Sequence, residues 1–302
     1  MLSSTFLLAS SLVATVAFAA IPPRNPRCPD PNGEAPGIMA AHEELAAMEK
    51  NSTIQYAAIH VDVYAHVIMS SKPNDKNVTL AVIQDRVKGL NTDYEPANIS
   101  FTLQDASWVT RDDWGDGALD KAATADVRRS LHRGGPGTLN LYFASDVQSS
   151  GVRLDGAGTF PSNLQTHRAL LDGCVISKWA AWDQRLMTHE IGHWFGLLHT
   201  WEDICNYVGD YIDDTLPSPQ SCHPRPRDCP NEANFMSYGD SRGSFSPGQL
   251  VRLPGLWAKF RSGANLPRRA KEEEERPGAS SPAALQTNVD KLPAPAGFSC
   301  GN

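Results

Sequence analysis

Apolar and polar positions alternate along residues 59–68, and a period of two predicts a core strand. Ile59, Val61, Val63, Ala65 and Val67 fall on its buried face. His60 and His66 share the opposite face with Tyr64 and read as polar strand residues rather than metal ligands. The alternation returns at residues 99–103 and 139–143, which predicts a second and a third strand. Between the strands the period becomes helical. Residues 37–50 read as a helical run with Met39, Leu45 and Met48 apolar, and residues 78–93 have helical spacing at Leu80, Ile83, Val87 and Leu90. Residues 120–132 form an amphipathic helix stopped by Gly134-Gly135-Pro136. Strands alternating with helices imply crossovers within a mixed sheet, an α+β fold.

Further along, a helix is expected to start near Trp182-Asp183, with Asp183 as its cap and Leu186, Ile191 and Phe195 as apolar anchors. A closing helix is expected over residues 247–260, with Leu250, Leu253, Leu256 and Trp257 inward and Pro254 kinking or breaking it. From Ser262 the composition shifts to Pro, Ala, Ser, Glu and Lys, too poor in apolar surface to order itself.

The first residues change the picture of where the chain works. Residues 2–20 are apolar, uncharged and end in Ala17-Phe18-Ala19-Ala20, the pattern of a secretory leader cut after Ala19 or Ala20. No later stretch could span a bilayer, so the expectation is a secreted, extracellular protein with no membrane partner. Sequons at Asn51, Asn77 and Asn98 fit a glycosylating route. The expected layout is a leader over 1–19, an N-terminal segment over 20–50 that is a candidate pro-segment, a catalytic domain over 51–262, and a disordered tail over 263–302. Net charge is −7 with no basic stripe, which argues against nucleic acid. A monomer is expected.

The chemistry is concentrated in His189-Glu190-Ile191-Gly192-His193-Trp194-Phe195-Gly196-Leu197-Leu198-His199. On a helix, His189 and His193 are four apart and share a face, so both imidazoles can reach one zinc ion. Glu190 stands beside them, placed to take a proton from water rather than to bind metal. Gly196 lets the helix stop and the chain turn, bringing His199 up as a third ligand with a fourth position left for water. Downstream, Asn234-Phe235-Met236-Ser237-Tyr238-Gly239 places a Met in a turn after the long motif, with Tyr238 two residues on.

These stretches resemble the pappalysin family of metzincins, closest to its small secreted fungal metalloproteases. The likeness runs from Asp172-Gly173-Cys174-Val175-Ile176 through Thr188–Trp201 and Gly209-Asp210-Tyr211-Ile212-Asp213-Asp214-Thr215. It continues through Asp228-Cys229-Pro230 and the Met-containing turn to Phe245-Ser246-Pro247-Gly248-Gln249. It implies a metzincin-like zincin, a mixed twisted sheet with an active-site helix and an irregular C-terminal subdomain after the third His. It also implies a zinc-dependent endopeptidase acting on proteins or peptides. Met236 would then floor the metal site, and the Tyr238 hydroxyl would reach the metal or the oxyanion. The Gly-rich run over residues 151–161 would form the upper rim of the cleft. Asp240 and Ser241 would compete for the specificity pocket. The family's usual Met-Asp-Tyr is Met-Ser-Tyr here.

The cysteines leave alternatives open. Six are present, and an even number in a secreted chain favours disulfides. The resemblance pairs Cys205 with Cys229. The usual partner of Cys222 is replaced within Ser241-Arg242-Gly243, so Cys222 is free or re-paired, Cys300 being one option. Cys28 is either a latency thiolate or a disulfide partner, for instance of Cys174. Glu202, Asp203, Asp210, Asp213 and Asp214 crowd one loop, which suits calcium or a solvated acidic turn equally. The resemblance adds that some relatives hold calcium there, which marks Asp210, Asp213, Asp214 and Thr215. Two rival readings stand: a hydrolase with a downstream Glu as third ligand, and an inactive secreted protein that keeps zinc for a binding role.

Overall fold

A computed structural model of the chain describes residues 36–51, 55–71, 77–114, 117–119, 121–145, 147–149, 151–165, 169–200, 209–216, 231–238 and 243–263. In chain order the elements are α1 (Pro36–Asn51), β1 (Ile59–Met69), α2 (Leu80–Tyr94), β2 (Ile99–Thr110), α3 (Ala122–Leu131) and β3 (Thr138–Ala144). After these come β4 (Gln148–Ser149), β5 (Val152–Arg153), β6 (Gly156–Gly158), β7 (Cys174–Ser177), α4 (Gln184–Phe195) and α5 (Pro247–Phe260). The main sheet has the order β2-β1-β3-β7-β6. Its first four strands run parallel and β6 pairs antiparallel at the edge, so the mixed sheet expected from the crossovers is present. β4 and β5 form a separate hairpin.

The alternation in β1 buries Ile59, Val61 and Val63 as read, but from Ala65 to Ile68 both faces are covered. The reason is the sheet's two coats. Leu139, Leu141 and Phe143 of β3 face a core shared with α1, α2, α4 and α5, while Tyr142 and Ala144 face a smaller cluster with Val127 of α3. His66 lies in this second face, buried, with Nδ1 at 3.1 Å from Ser107 Oγ and Nε2 at 3.1 Å from Asn140 Oδ1. His60 is exposed beside Ser100. Both are polar strand residues.

Several expectations need correction. β2 runs on to Thr110, because the pairing with β1 shifts between Val63 and Tyr64 and leaves Gln104 as an extra residue. That bulge breaks the alternation at the point where the pattern stops. Pro254 does not break α5, which continues to Phe260 with Leu253, Pro254 and Leu256 buried. Met48 is exposed although Met39 and Leu45 are buried. β7 was not expected as a strand; its four residues are all buried, so it carries no alternation. α1 is not set apart from the following residues, since Ile38, Met39, Ala41 and Leu45 sit in the main core. The leader, the tail and Cys28, Cys205, Cys222, Cys229 and Cys300 lie outside the described residues.

Candidate active site

Helix α4 starts where the sequence places it. Asp183 is extended, and its side chain accepts from the Leu186 N–H at 3.1 Å. Met187, Ile191, Trp194 and Phe195 bury the helix against the sheet. Gly196 ends it at φ 115°, a left-handed conformation a side chain would resist. The chain then turns, and His199 comes alongside His189 and His193. One ring nitrogen from each of the three lies within 4.8 Å of the others.

The protonation pattern of these rings follows from their partners. His193 Nδ1 is 2.8 Å from the Leu197 carbonyl, and His189 Nδ1 is 2.7 Å from the Phe235 carbonyl. A carbonyl only accepts, so each Nδ1 carries the proton and each Nε2 presents a lone pair. Yet His193 Nε2 stands 3.1 Å from His189 Nε2 and 3.0 Å from His199 Nε2. Neutral rings gain nothing from that approach. Two nitrogens bound tetrahedrally to one zinc stand about 3.4 Å apart, so the spacing is that of ligands sharing an ion. Burial, reinforced by the neighbouring His199, pushes His189 down to about 3 and His193 well below the usual range. His189 and His193 are therefore neutral rings, each with Nδ1 held by a backbone carbonyl and Nε2 turned into the cluster that His199 completes, a donor set that fits a zinc ion.

Glu190 is buried on the adjoining flank, under β6. A Cβ added at Gly156 would come within 2.9 Å of Glu190 Cγ, and one at Gly158 would fall on the Glu190 backbone carbonyl. Burial raises the Glu190 carboxyl to about 8, partly offset by a hydrogen bond from the Gly158 N–H. Cys174 of β7, whose thiol is raised by burial, donates to the same Glu190 carbonyl at 3.4 Å.

Met236 lies beneath the helix, fully buried, where a Cβ on Gly192 would strike its sulfur. The turn around it is held from three sides. Thr200 N–H donates to the Met236 carbonyl, and Arg185 Nη2 donates to the carbonyls of Asn234 and Ser237 at 2.6 and 2.9 Å. The amides of Asn234 and Gln249 pair reciprocally at 2.8 and 3.1 Å, and Gln249 also closes the capping box of α5 with Ser246. Tyr238 is half exposed, its ring 5.7 Å from that of His189 and 5.3 Å from that of His199.

Residues 51–247 match the model of Metallo-peptidase family M12. The chain belongs to metallo-peptidase family M12. It is a metalloendopeptidase, and protein or peptide chains are the class of substrate it acts on. It is 33% identical over 282 residues to an extracellular metalloprotease of Pyricularia oryzae, across 86% of this chain and 97% of the relative. It is also 33% identical to extracellular metalloprotease 1 of Coccidioides posadasii, across 76% of this chain and 88% of the relative. In fold it is similar to promirolysin of Tannerella forsythia, with TM-score 0.53 and 20% identity over 74% of this chain and 88% of that one. Mirolysin gives 0.52 and 19% over 69% and 98%. Among the described residues no helix is long and apolar enough to cross a membrane.

The remaining marked residues of this metallopeptidase fall in different places. Asp210 is buried; its Oδ1 accepts from Thr215 Oγ1 at 2.5 Å and Ile212 N at 3.2 Å, while Oδ2 has no partner among the described residues. Asp213 pairs with Lys50 at 3.3 Å, and Asp214 receives Ser246 Oγ and Gly248 N, both at 2.7 Å, at the start of α5. Among the described residues, the three histidines are the only group of three or more His, Cys, Asp or Glu side chains close enough to share an ion. Asn77 and Asn98 are exposed, and Asn98 also takes a left-handed φ of 57° to end the turn before β2. Asn51 ends α1 and its side chain is outside the described residues, as are Asp240 and Ser241.

Three supports of the site were not read from the sequence: Arg185, the Asn234–Gln249 pair and Arg252. Only Arg252 left a signal, a charge interrupting the inward stripe of the closing helix between Leu250 and Leu253.

Proposed function

We propose that this chain is a secreted zinc endopeptidase of the pappalysin branch, with His189, His193 and His199 as metal ligands and Glu190 as general base. The observation that carries the reading is the convergence of three imidazole ring nitrogens beside a buried carboxyl. A zinc ion bound there supplies a Lewis acid that polarises the peptide carbonyl and lowers the pKa of the attacking water. Glu190 accepts the proton as the water oxygen bonds to the carbonyl carbon, then returns it to the amine as the C–N bond breaks. The half-exposed Tyr238, its ring beside those of His189 and His199, is assigned to donate its hydroxyl to the developing oxyanion. The edge strand β6 offers main-chain groups to an extended peptide, a grip that tolerates varied sequences. Met236 is an apolar floor, and Asp240 with Ser241 is assigned to the specificity pocket.

Secretion is supported by the leader-like first 19 residues and by the relatives' extracellular designation. A calcium ion in the loop over residues 209–216 is supported by the unpartnered Asp210 Oδ2 next to Thr215; Asp213 and Asp214 are committed elsewhere. The test is to express the full chain with its leader, collect the medium and incubate it with a denatured protein. Cleavage that a chelator stops and zinc restores is expected. Protein retained inside the cell, or cleavage indifferent to the chelator, contradicts the proposal.

A further inference from the structure

A chain of polar contacts outside the catalytic motif ends on the turn that carries His199. His42 of α1 is fully buried, and its Nε2 lies 2.8 Å from the Gly196 carbonyl. Its Nδ1 lies 2.6 Å from Arg252 Nη1. Since a carbonyl accepts and a guanidinium donates, a single neutral tautomer satisfies both contacts. Arg252, itself buried in α5, is fixed in turn by a two-point pair with Glu49 at 2.7 and 2.9 Å and by the Tyr211 carbonyl at 2.9 Å. Glu49 and His42 are seven apart, two turns along one face of α1. Ile38, one turn before His42, is also against Gly196: a Cβ there would stand 3.0 Å from Ile38 Cδ1.

We propose that His42 is a positioning residue of the metal site, holding the Gly196 carbonyl so that the turn delivers His199 to His189 and His193. The inference rests on the zinc reading above. Leu197, the next residue, gives its carbonyl to His193 Nδ1, so two successive carbonyls of the turn are each held by a histidine. One holder is a ligand; the other is His42. A helix C-terminus leaves carbonyls without intrahelical partners, and here the Gly196 carbonyl finds its partner in the buried His42. Without a donor it would turn toward another partner and take the three-residue path to His199 with it. A buried histidine placed for packing alone would not need Arg252 and Glu49 behind it to fix its tautomer.

The experiment compares His42→Gln with His42→Asn, using zinc alone as the ligand. Glutamine carries an acceptor and a donor at the reach of the two ring nitrogens, whereas asparagine reaches Arg252 but falls short of Gly196. Zinc affinity is measured by competition with a coloured chelator at a temperature where both chains are folded by circular dichroism. The glutamine chain is expected to bind within about threefold of wild type, and the asparagine chain at least about tenfold more weakly, the lower end for loss of an outer partner of a metal site. Equal zinc affinity in all three chains, with differences confined to thermal midpoint, overturns the inference. Wild type that binds no zinc overturns the parent reading instead. A measurement on the wild type alone covers an asparagine chain that does not fold. Coupling is reciprocal, so zinc should slow solvent exchange of the His42 Nε2 proton, and an unchanged exchange rate contradicts the proposal.

Discussion

At the scale of single residues, Gly158 marks how closely the edge strand lies on the catalytic helix. Alanine there would drive a methyl group into the Glu190 carbonyl and against His193 Cβ, so β6 or α4 must shift. Displacements near 1 Å at a reacting centre lower rates about a hundredfold, so Gly158→Ala should lose about that factor in kcat/KM while remaining folded. Gly135→Ala, which meets open space, is the control and should leave the kinetics unchanged. The convergence of the three histidines was legible because their spacing is local: two on one helical face, one just past a glycine. The pairing of His42 with Arg252 was not, because the two are 210 positions apart and meet only after the sheet and both helices are packed. Asp210 was legible as an acidic residue but not as a buried one, since nothing in its type separates it from Asp213 and Asp214, which are exposed.

At the scale of elements, α5 serves the site as much as it closes the core. Gln249 both caps this helix and pairs with Asn234, which in turn accepts from the Met236 N–H at 2.8 Å. Replacing Gln249 by alanine removes the cap's reciprocal bond and strands the Asn234 amide. The expected loss is about 2–3 kcal/mol in chemical denaturation, with reduced activity at temperatures where the chain is still folded. A loss within about 0.5 kcal/mol would show that the turn is held by Arg185 and Thr200 alone. Long periodic elements such as β1, α2 and α4 could be read directly. β6 and β7 could not, because three and four residues are too short for a period, and β7 is buried on both faces. Pro254 misled for a different reason: its ring lies in a helix whose inward residues are so buried that packing outweighs the missing hydrogen bond.

At the scale of the whole molecule, buried groups set opposing slopes of stability against pH, and outside the three histidines and Glu190 these include His42 and Asp210. Burial, with Arg252 adjacent, lowers His42 to about 3, so below its ordinary value of 6.5 the unfolded chain takes up a proton that the native chain refuses. Stability is therefore lost as pH falls from about 6.5 toward 3. Burial raises Asp210 to about 7 from 3.8, so the native chain keeps a proton that the unfolded chain has released. That contribution is present at low pH and lost as pH rises from about 4 to 7. In chelator, Asp210→Asn should gain thermal midpoint relative to wild type at about pH 8 and not at about pH 4, whereas equal shifts at both would remove Asp210 from the account. The fold class followed from the alternation of strand and helix patterns. The packing of α1 into the same core as the catalytic helix did not, because a helix on the N-terminal side of the domain carries no mark in sequence of where it docks.

The most direct measurement of the central claim is zinc content and proteolysis in Glu190→Ala beside wild type. One zinc is expected in each chain, with cleavage of a denatured protein by wild type and a loss in the variant beyond about a thousandfold. A variant that keeps its zinc and still cleaves at the wild-type rate would contradict the assignment of Glu190. Wild type that holds zinc and cuts nothing would contradict the hydrolytic role of the site.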